Sequence, residues 1–600
     1  MQNPLEFYQK EKQFFENELS SIKKKLAVSS SLRLLVFVII VFGIYLPFRQ
    51  SGFLAGNTNV IMPIVIFGIA IFLFLISKHT DLQHKKDKLI ALIKLNVIEI
   101  NVLKGIKSDL DLGAEYQNPT HEFSYDIDLF GNGSFFQYIN RTSIKSGKDK
   151  LAETLTANTI NDIKEKQESL NELAKKPKWR QNFSATASLV HVKTKASAIV
   201  NWLNNHVSFL PKIMAITPML FFGISIALFV LNYFGFIGFI PIIAWFFAGL
   251  GITGIYLKKI NLVYAKANRA KDTFKQFHQL LLQTESESFT SKILKDKQQQ
   301  IKLEHKKAST IFNDFSKALE ALDQRNNILF GIFGNGFALW DLKQTYKIEN
   351  WIKTYHHQVE NWFEVIAFFD AQNSLANYIF NHPKHTFPII TETNFTIEVK
   401  QLGHPLLNES KRVDNDFSIN NQEFFIITGA NMAGKSTFLR TVSLSIVMAN
   451  IGLPVCATKF EYTPIHLITS MRTSDSLTDD ESYFFSELKR LKFIVDAINP
   501  KTATKKYFII LDEILKGTNS KDKAIGSRKF VEKLVKSNST GIIATHDLSL
   551  CEITKELTQV KNYYFDAEII NDELYFDYTF KTGICQNMNA SFLLKKMEIV

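Results

Sequence analysis

Hydrophobic and polar positions divide this chain into regions of different pattern. Residues 1–257 contain four long uncharged runs, set among mixed-charge stretches whose spacing indicates helices. From residue 258 to 382 apolar residues recur every three or four positions among many Lys, Gln and Glu, which is typical of long solvated helices. After Pro383 and Pro388, short apolar runs that favour buried strands alternate with helical patterns. We therefore predict an all-α region followed by an α/β domain.

The four uncharged runs are candidates for membrane-spanning helices. They cover Leu34–Phe48, Val60–Ile76, Ile213–Tyr233 and Phe236–Leu257. A span needs about 20 apolar residues, so the third and fourth runs are long enough by themselves. The first two are shorter, and we interpret them as a tight hairpin whose polar link lies at the membrane interface. The alternative for each run is a buried core helix.

The distribution of basic residues favours one orientation of these runs. Lysines and arginines precede the first and third runs and follow the second and fourth, while the two linking turns hold Arg49 alone. Because cytoplasmic segments carry the positive excess, we expect a multi-pass membrane protein with both termini and the C-terminal domain on the cytoplasmic side. The predicted organisation is an N-terminal helix (1–33), a first transmembrane hairpin (34–77), a first helical core segment (78–212), a second hairpin (213–257), a second helical core or lever segment (258–394) and the α/β domain (395–600).

Composition adds charge and redox information to this picture. The chain has 600 residues, with 70 Lys and Arg against 58 Asp and Glu, a formal net charge of +12. That charge suits nucleic acid or anionic lipid and selects neither. Cys456, Cys551 and Cys585 lie far apart without metal-ligand spacing, which indicates reduced and mostly buried thiols. The first residues have no cleavable signal pattern.

The clearest chemical motif follows the apolar run Phe424–Ile427. Gly429, Gly434, Lys435 and Ser436 have the G-x4-G-K-S spacing of a phosphate-binding loop, between a predicted strand and a helix beginning at Lys435. Lys435 is expected to reach the β- and γ-phosphates of a nucleotide as a catalytic residue, and the Ser436 hydroxyl to bind Mg²⁺. The alternative is a fortuitous Gly-rich turn. The residues expected to bind ATP are Gly429, Ala430, Asn431, Met432, Ala433, Gly434, Lys435, Ser436 and Thr437.

Two further apolar runs end in polar residues. Tyr507–Leu511 precedes Asp512, which we expect to hold Mg²⁺, and Glu513, which we expect to orient and deprotonate the attacking water. Thr540–Ala544 precedes His546, which would contact the γ-phosphate from the carboxyl edge of a parallel sheet. The alternatives are an acid pair that caps a helix and a structural histidine. Together the motifs predict Mg²⁺-dependent ATP hydrolysis.

These motifs resemble the MutS family of DNA mismatch-repair ATPases. The matching stretches are Thr428–Arg440, Leu511–Ile525 and Ala544–Leu548. Gly403–Leu407 with Asn415–Asp416 resembles the family's strand entering the nucleotide site, and Tyr578–Phe592 resembles its closing segment. Asp128–Ala174 and Phe369–Pro383, in the helical region, match more faintly. The resemblance implies an ABC-type P-loop fold for the C-terminal domain, ATP and Mg²⁺ as cofactors, and a homodimer whose paired ATPase domains complete each other's sites.

The resemblance also assigns roles to single residues. Ser482 matches the serine that one subunit offers in trans to the γ-phosphate of the other, and Glu487 matches the glutamate that follows it. Residues 517–519 and Asp522 match the loop that crosses that interface. The chain departs from the family with Ala430 for a proline, Asp480-Glu481 for Gly-Arg, Leu515-Lys516 for Gly-Arg, and Arg412 where an aromatic ring commonly stacks on adenine.

The family's mismatch reader is expected to be absent. That reader is a separate N-terminal domain with a Phe-x-Glu motif, whose Phe wedges into the duplex. Phe14-Phe15-Glu16 has these letters but lies in a predicted helix directly before a membrane run. The second hairpin falls where the family inserts its DNA-gripping clamp. We therefore expect a variant with transmembrane helices in place of DNA-contacting modules.

Two classes of function stay open. The first is a membrane-anchored ATP-dependent dimeric clamp or switch, related to DNA repair or maintenance, that binds double-stranded DNA independently of sequence. The second is an ATP-switched membrane scaffold or assembly protein that does not bind nucleic acid. An ABC-type transporter is disfavoured, because four spans make a poor translocation path and no LSGGQ-like run occurs.

Overall fold

A computed structural model describes most of the chain as two compact units. The described residues are 3–45, 58–106, 110–189, 196–302, 306–392, 395–472, 483–499, 505–515, 519–537, 539–570 and 573–586. Unit 1 comprises Met1–Ile106, Lys178–Ser288 and Lys297–Asp370. Unit 2 comprises Lys107–Pro177, Phe289–Asp296 and Ala371–Val600.

A mostly helical N-terminal region precedes mixed sheets in the C-terminal part of the chain. The helices are α1 (Pro4–Tyr45), α2 (Thr58–Leu103), α3 (Phe135–Ile139), α4 (Lys145–Thr156), α5 (Ile163–Ala174), α6 (Pro177–Ser188), α7 (Ala196–Asn204), α8 (Thr217–Tyr233), α9 (Phe239–Ser286), α10 (Lys292–Gln299), α11 (Ala308–Asp323), α12 (Ile328–Ala338), α13 (Trp340–Asn381), α14 (Lys435–Asn450), α15 (Tyr483–Ala497) and α16 (Ser520–Val535). The strands are β1 (Ile389–Ile390), β2 (Phe395–Leu402), β3 (Asn415–Asn420), β4 (Phe424–Gly429), β5 (Lys459–Tyr462), β6 (His466–Ser470), β7 (Tyr507–Asp512), β8 (Thr540–Ala544), β9 (Val560–Phe565), β10 (Glu568–Ile570), β11 (Glu573–Tyr575) and β12 (Lys581–Thr582).

The described part of unit 1 is helical, and several of its helices have exposed apolar segments. Helices α1, α2 and α9 are long and apolar enough to cross a membrane by length and composition. Leu34 of α1 is 65% exposed and Phe67 of α2 is 68% exposed, although both are large apolar side chains. Helices α1 and α2 lie against each other, and a Cβ added at Gly43 would be 2.9 Å from a methyl carbon of Val65. The predicted link between them falls on residues 46–57, outside the described residues.

The third predicted run is shorter as a helix than the sequence suggested. A 3-10 turn covers Lys212–Ala215, and α8 then has 17 residues. Pro218 stands in the first turn of α8, because proline lacks an N–H and suits the start of a helix. By contrast, the first, second and fourth runs continue into the charged segments beside them, so the predicted boundaries at residues 33, 77 and 257 lie inside α1, α2 and α9.

A mixed sheet of six described strands forms the centre of unit 2, in the order β12-β9-β4-β8-β7-β6. The five strands from β9 to β6 in this order are parallel to one another, and β12 pairs antiparallel with β9. Every residue of β4, β6 and β8 is buried, which explains their uninterrupted apolar character. The strands predicted at Phe424, Tyr507 and Thr540 and the helix predicted from Lys435 are confirmed. A smaller sheet has the order β1-β5-β2-β3.

Residues 107–177 belong to the same compact unit as the sheet, although the sequence predicted them as part of a separate helical core. Asn158 binds the edge strand β6 through both its side-chain atoms: Nδ2 donates to the Leu467 carbonyl at 2.9 Å, and the Leu467 N–H donates to Oδ1 at 3.0 Å. The Thr469 N–H donates to the Glu122 carbonyl at 2.9 Å. This segment therefore satisfies backbone groups of β6 that would otherwise lack partners.

Candidate nucleotide-binding site

The parallel strands bring the predicted site residues to one edge of the sheet. Strands β4, β7 and β8 end at Gly429, Asp512 and Ala544, and ligands of such sheets bind beyond the carboxyl ends of the strands. A cavity of about 450 Å³ lies at this edge. Pockets for small molecules measure roughly 300–1,000 Å³, so the cavity is large enough for a nucleotide.

The loop after β4 needs its glycines for steric reasons. Gly429 has a φ of +147°, and a Cβ added there would lie 2.4 Å from the Phe565 carbonyl oxygen. Gly434 has a φ of +106° and directly precedes α14. Between them Met432 adopts a φ of +67° and is 77% exposed. The chain thus turns sharply from a buried strand into a helix whose N-terminus faces the cavity.

Lys435 places its ammonium group within this loop. Its Nζ donates to the carbonyls of Gly429 at 2.7 Å and Ala430 at 2.9 Å. Burial lowers the pKa of Lys435, and the nearby carboxylates of Asp512 and Glu513 oppose that shift. The side chain is therefore a partly desolvated cation, whose electrostatic attraction for an anion is stronger than it would be in water.

Two residues predicted to bind Mg²⁺ lie together at the mouth of the loop. The Ser436 hydroxyl donates to Asp512 Oδ2 at 2.7 Å, although the two residues are 76 positions apart in sequence. Hydroxyl and carboxylate oxygens are the ligands that Mg²⁺ prefers. The donor set at this point of the structure therefore fits that ion.

Glu513 and His546 form a second contact beside the first. His546 Nε2 is 3.1 Å from Glu513 Oε1 and 3.4 Å from Lys435 Nζ. Glu513 has a φ of +52° and is held by its N–H, which donates to the Ala544 carbonyl at 2.9 Å. This left-handed backbone is costly for a residue other than glycine, and such strain concentrates at functional sites. The three predicted catalytic residues are thus adjacent.

The cavity wall includes residues that motif spacing did not single out. Tyr578 has a φ of +52° and lies against the loop, where a Cβ added at Gly434 would be 3.1 Å from its ring. Asn415 fixes the segment that carries Tyr578, because its Nδ2 donates to the Tyr578 carbonyl at 3.0 Å and its Oδ1 accepts from the Phe580 N–H at 2.8 Å. Motif spacing could not find Tyr578, since it reaches the site from more than 140 positions downstream of the loop. Of the predicted loop residues, the cavity is lined by Ala430, Asn431, Met432, Gly434, Lys435, Ser436 and Thr437.

Arg412 also lines the cavity, as the sequence suggested. Its Nε and Nη2 donate to the two carboxylate oxygens of Asp414, at 2.6 and 3.2 Å. This pairing raises the pKa of Arg412 and holds the guanidinium plane in one orientation.

The residues expected to act between subunits are described in part. Ser482, Asp480, Glu481 and residues 516–518 lie outside the described residues. Glu487 is 3% exposed and accepts a hydrogen bond from the Leu515 N–H through Oε1, two residues after Glu513. Within one chain, Glu487 therefore supports the strained backbone behind the site.

The fold and the site define an α/β domain with a ligand cavity at the carboxyl edge of its parallel strands. Comparison with known proteins adds a family: residues 425–596 match the family model described as MutS domain V. The chain is 34% identical over 223 residues to the DNA mismatch repair protein MutS of Finegoldia magna, a match that covers 36% of this chain and 25% of that protein. It is 33% identical over 206 residues to the DNA mismatch repair protein MutS of Thermotoga maritima, with coverages of 33% and 25%. It is 29% identical over 218 residues to MutS protein homolog 4 of Homo sapiens, with coverages of 34% and 22%.

These matches extend over the C-terminal third of the chain. The chain spans about a quarter of the length of the curated relatives it matches. The matched residues include the Gly-rich loop from Gly429 and both polar strand ends, at Asp512 and His546. The sequence-based resemblance to MutS is confirmed for this part of the chain.

Proposed function

We propose that unit 2 is a MutS-like ATPase with an ABC-type P-loop fold, which binds ATP and Mg²⁺ in the cavity at the sheet edge. The contact between Ser436 and Asp512 supports this proposal most directly. These two residues come from separate motifs that were each assigned to Mg²⁺, and the fold brings their oxygens within 2.7 Å of each other. The match of residues 425–596 to MutS domain V supports it independently.

The side chains around the cavity have different roles in the proposed ATP hydrolysis. When bound, Mg-ATP would supply an electrophilic phosphorus and a cation that neutralises the phosphate oxygens. Lys435 attracts phosphate oxygens with its ammonium group, and the loop backbone orients them. Glu513 accepts a proton from water, while His546 holds the Glu513 carboxylate in position from 3.1 Å away.

Nucleotide binding and hydrolysis test this assignment separately. With the full chain in lipid nanodiscs, Lys435→Ala should weaken Mg-ATP binding by roughly tenfold or more, because a charge-assisted hydrogen bond contributes about 1.5–3 kcal/mol. Glu513→Gln should bind Mg-ATP normally and hydrolyse it at least about 100-fold more slowly. Lys400→Ala is the matched control, since Lys400 pairs with Asp416 at 3.0 Å on an exposed surface. Unchanged hydrolysis in both site variants would refute the proposal.

We further propose that the apolar helices of unit 1 anchor the ATPase to a membrane, with both chain termini on the cytoplasmic side. Two pairs support this: α1 with α2, and α8 with α9. Their large apolar side chains are exposed, and a bilayer is the environment in which such a surface is stable. The chain should stay with the membrane fraction after alkaline carbonate extraction. Release into the supernatant would contradict the anchor.

The physiological role that we propose is an ATP-dependent dimeric clamp or switch on double-stranded DNA, without mismatch reading. The net charge of +12 and the relatives named DNA mismatch repair protein favour DNA as the partner. Duplex DNA of any sequence should stimulate hydrolysis, and stimulation should fall steeply between about 50 and 200 mM salt because phosphate contacts release counterions. Lys435→Ala supplies the background rate.

The second candidate is an ATP-switched membrane scaffold that does not bind nucleic acid. The exposed apolar area of unit 1 favours the scaffold, because a surface covered by lipid is not accessible to nucleic acid. The same experiment separates the two candidates: a hydrolysis rate that is indifferent to DNA at both salt concentrations supports the scaffold.

A further inference from the structure

Helix α12 is an apolar helix that lies outside the four membrane runs predicted from the sequence. It runs from Ile328 to Ala338, 11 residues without a charged side chain, and is about 16 Å long at 1.5 Å per residue. Ile328 is 75% exposed, Leu329 68% and Phe333 56%. A helix of this length cannot cross a bilayer, and an apolar segment of 10–14 residues suits a core, re-entrant or interfacial position. The exposure of three large apolar side chains excludes the core position.

The other face of α12 contacts α8 and α9 closely. A Cβ added at Gly249 of α9 would lie 2.4 Å from the Gly336 carbonyl oxygen, and a Cβ at Gly336 would lie 2.2 Å from the Phe246 ring. The Phe337 ring centroid is 5.1 Å from that of Phe246 and 5.2 Å from that of Phe229 of α8. Glycines that let helix backbones approach are typical of helix contacts inside membranes.

The position of this contact along α9 shows how far α12 extends beside the apolar segment of α9. The apolar segment of α9 ends at Lys258 and Lys259, where the chain becomes charged. Gly249 precedes Lys258 by nine residues, which corresponds to about 13 Å along the helix axis. Ser225, the contact of α12 on α8, follows the start of that helix by a similar distance. The C-terminal end of α12 therefore reaches the middle of the apolar segments on both neighbours.

The Gly331, Gly334 and Phe337 carbonyls of α12 have partners, which lowers the cost of placing this helix in lipid. The last carbonyls of a helix lack partners within the helix. Ser225 Oγ donates to the Phe337 carbonyl at 2.7 Å and accepts from Trp245 Nε1 at 3.0 Å. Asn335 Nδ2 donates to the Gly331 carbonyl at 2.9 Å. The Leu339 N–H closes the helix on the Gly334 carbonyl, with Leu339 at a φ of +46°.

We propose that α12 is a re-entrant helix, which enters the hydrocarbon layer beside α8 and α9 and turns back at Leu339 into α13. Its exposed face, Ile328, Leu329, Ile332 and Phe333, contacts lipid acyl chains. Continuity with the exposed apolar face of α9 selects lipid as the occupant. This inference rests on the proposed membrane anchor and adds a fifth membrane element to it.

Depth-dependent fluorescence quenching tests the inference on the full chain. Phe333→Cys, labelled with an environment-sensitive dye and reconstituted in vesicles with brominated acyl chains, should lose emission relative to vesicles without bromine. Phe247→Cys, on the exposed face of α9 at the middle of its apolar segment, is the membrane control. Leu282→Cys, exposed on the charged half of α9, is the aqueous control. The three native cysteines are buried, so the unmodified chain is the labelling blank.

Each outcome decides a different claim. Quenching at positions 333 and 247, with none at 282, is the expected result, and Ile332→Cys should repeat it if Phe333→Cys folds poorly. Quenching at 247 without quenching at 332 and 333 overturns the re-entrant helix and leaves the anchor intact. No quenching at any position refutes the membrane anchor and the re-entrant helix together. Dye emission at 333 that is blue-shifted and insensitive to bromine shows that protein covers α12, and also overturns the proposal.

Discussion

Asn158→Ala is the substitution that best tests how unit 2 is built. Asn158 mimics a neighbouring strand, because its amide exchanges two hydrogen bonds with the backbone of Leu467, 309 positions away. Leu467 is 0% exposed, so water does not reach its N–H and C=O in the native state. Strand β6 carries those groups at the edge of the sheet, and the neighbouring strand β7 ends at Asp512.

The magnitude of the effect follows from these contacts. Truncation leaves one buried donor and one buried acceptor without partners, and each costs about 1–3 kcal/mol. The backbone of Asn158 has a φ of +46°, where asparagine is tolerated and alanine costs about 1 kcal/mol more. We therefore expect local stability at β6 to fall by about 3 kcal/mol or more. At about 1.4 kcal/mol per factor of ten, amide exchange there should accelerate at least about 100-fold.

Hydrogen–deuterium exchange of the full chain, read from peptides that contain His466–Ser470, measures this quantity directly. Asn158→Gly removes the same two hydrogen bonds but relaxes the backbone, so its effect should be smaller by about 1 kcal/mol. Asn118→Ala is the control from the same segment, since Asn118 bonds to Thr120 within its own loop. An exchange rate at β6 in Asn158→Ala equal to that of the wild type would show that Asn158 does not stabilise this strand.

Three further substitutions address the site and the apolar helices. Tyr578→Ala should weaken ATP binding roughly tenfold, because stacking of a base on an aromatic ring contributes about 1–3 kcal/mol. Tyr578→Phe keeps the ring and should bind ATP as the wild type does. Equal binding by the wild type and both variants, in a titration with a fluorescent nucleotide, would refute this prediction. Glu487→Ala leaves the Leu515 N–H without its Glu487 acceptor. The variant should slow hydrolysis at saturating Mg-ATP more than it weakens nucleotide binding. A change in nucleotide binding alone would contradict this prediction. Gly249→Ala should lower the thermal unfolding temperature of the protein in detergent, because its Cβ meets a carbonyl of α12. Gly251→Ala is on the same helix, and its Cβ meets nothing within 4 Å, so this variant should be neutral or stabilising. Similar shifts of the unfolding temperature in both variants would count against the close contact.

The sequence predicted which strand ends meet at the cavity, because local chemistry determines those strands. Phe424–Ile427 and Tyr507–Leu511 are uninterrupted apolar runs, and a parallel strand buried on both faces requires that pattern. Once the strands are parallel, their polar carboxyl ends meet at one edge. The adjacency of Ser436 with Asp512 and of Glu513 with His546 follows from this geometry. Spacing within each motif and strand pairing between motifs were sufficient.

Contacts between distant segments were not predictable from local pattern. Asn158 is one polar residue in a loop, and nothing in its neighbourhood indicates that it binds Leu467. Tyr578 reaches the cavity from the C-terminal segment and depends on Asn415 for its position. Helix α12 was not predicted as a membrane element for a different reason: its 11 uncharged residues are fewer than a span requires.

The register of α11 on α9 determines where α12 lies along α9. Lys271 of α9 bonds to Asp323 at 2.7 Å, and Tyr264 bonds to the same carboxylate at 2.6 Å, which fixes the C-terminal end of α11. The three residues Gln324–Asn326 then form a 3-10 turn, and α12 begins at Ile328. This connection is compact, because each residue of a 3-10 helix advances only about 2.0 Å along the axis. Sliding of α11 along α9 by one helical turn, about 5.4 Å, must therefore unwind this 3-10 turn, move α12 relative to the apolar segment of α9, or break its contact at Gly249. The 3-10 turn thus joins the position of α11 on α9 to the position of α12 on the same helix.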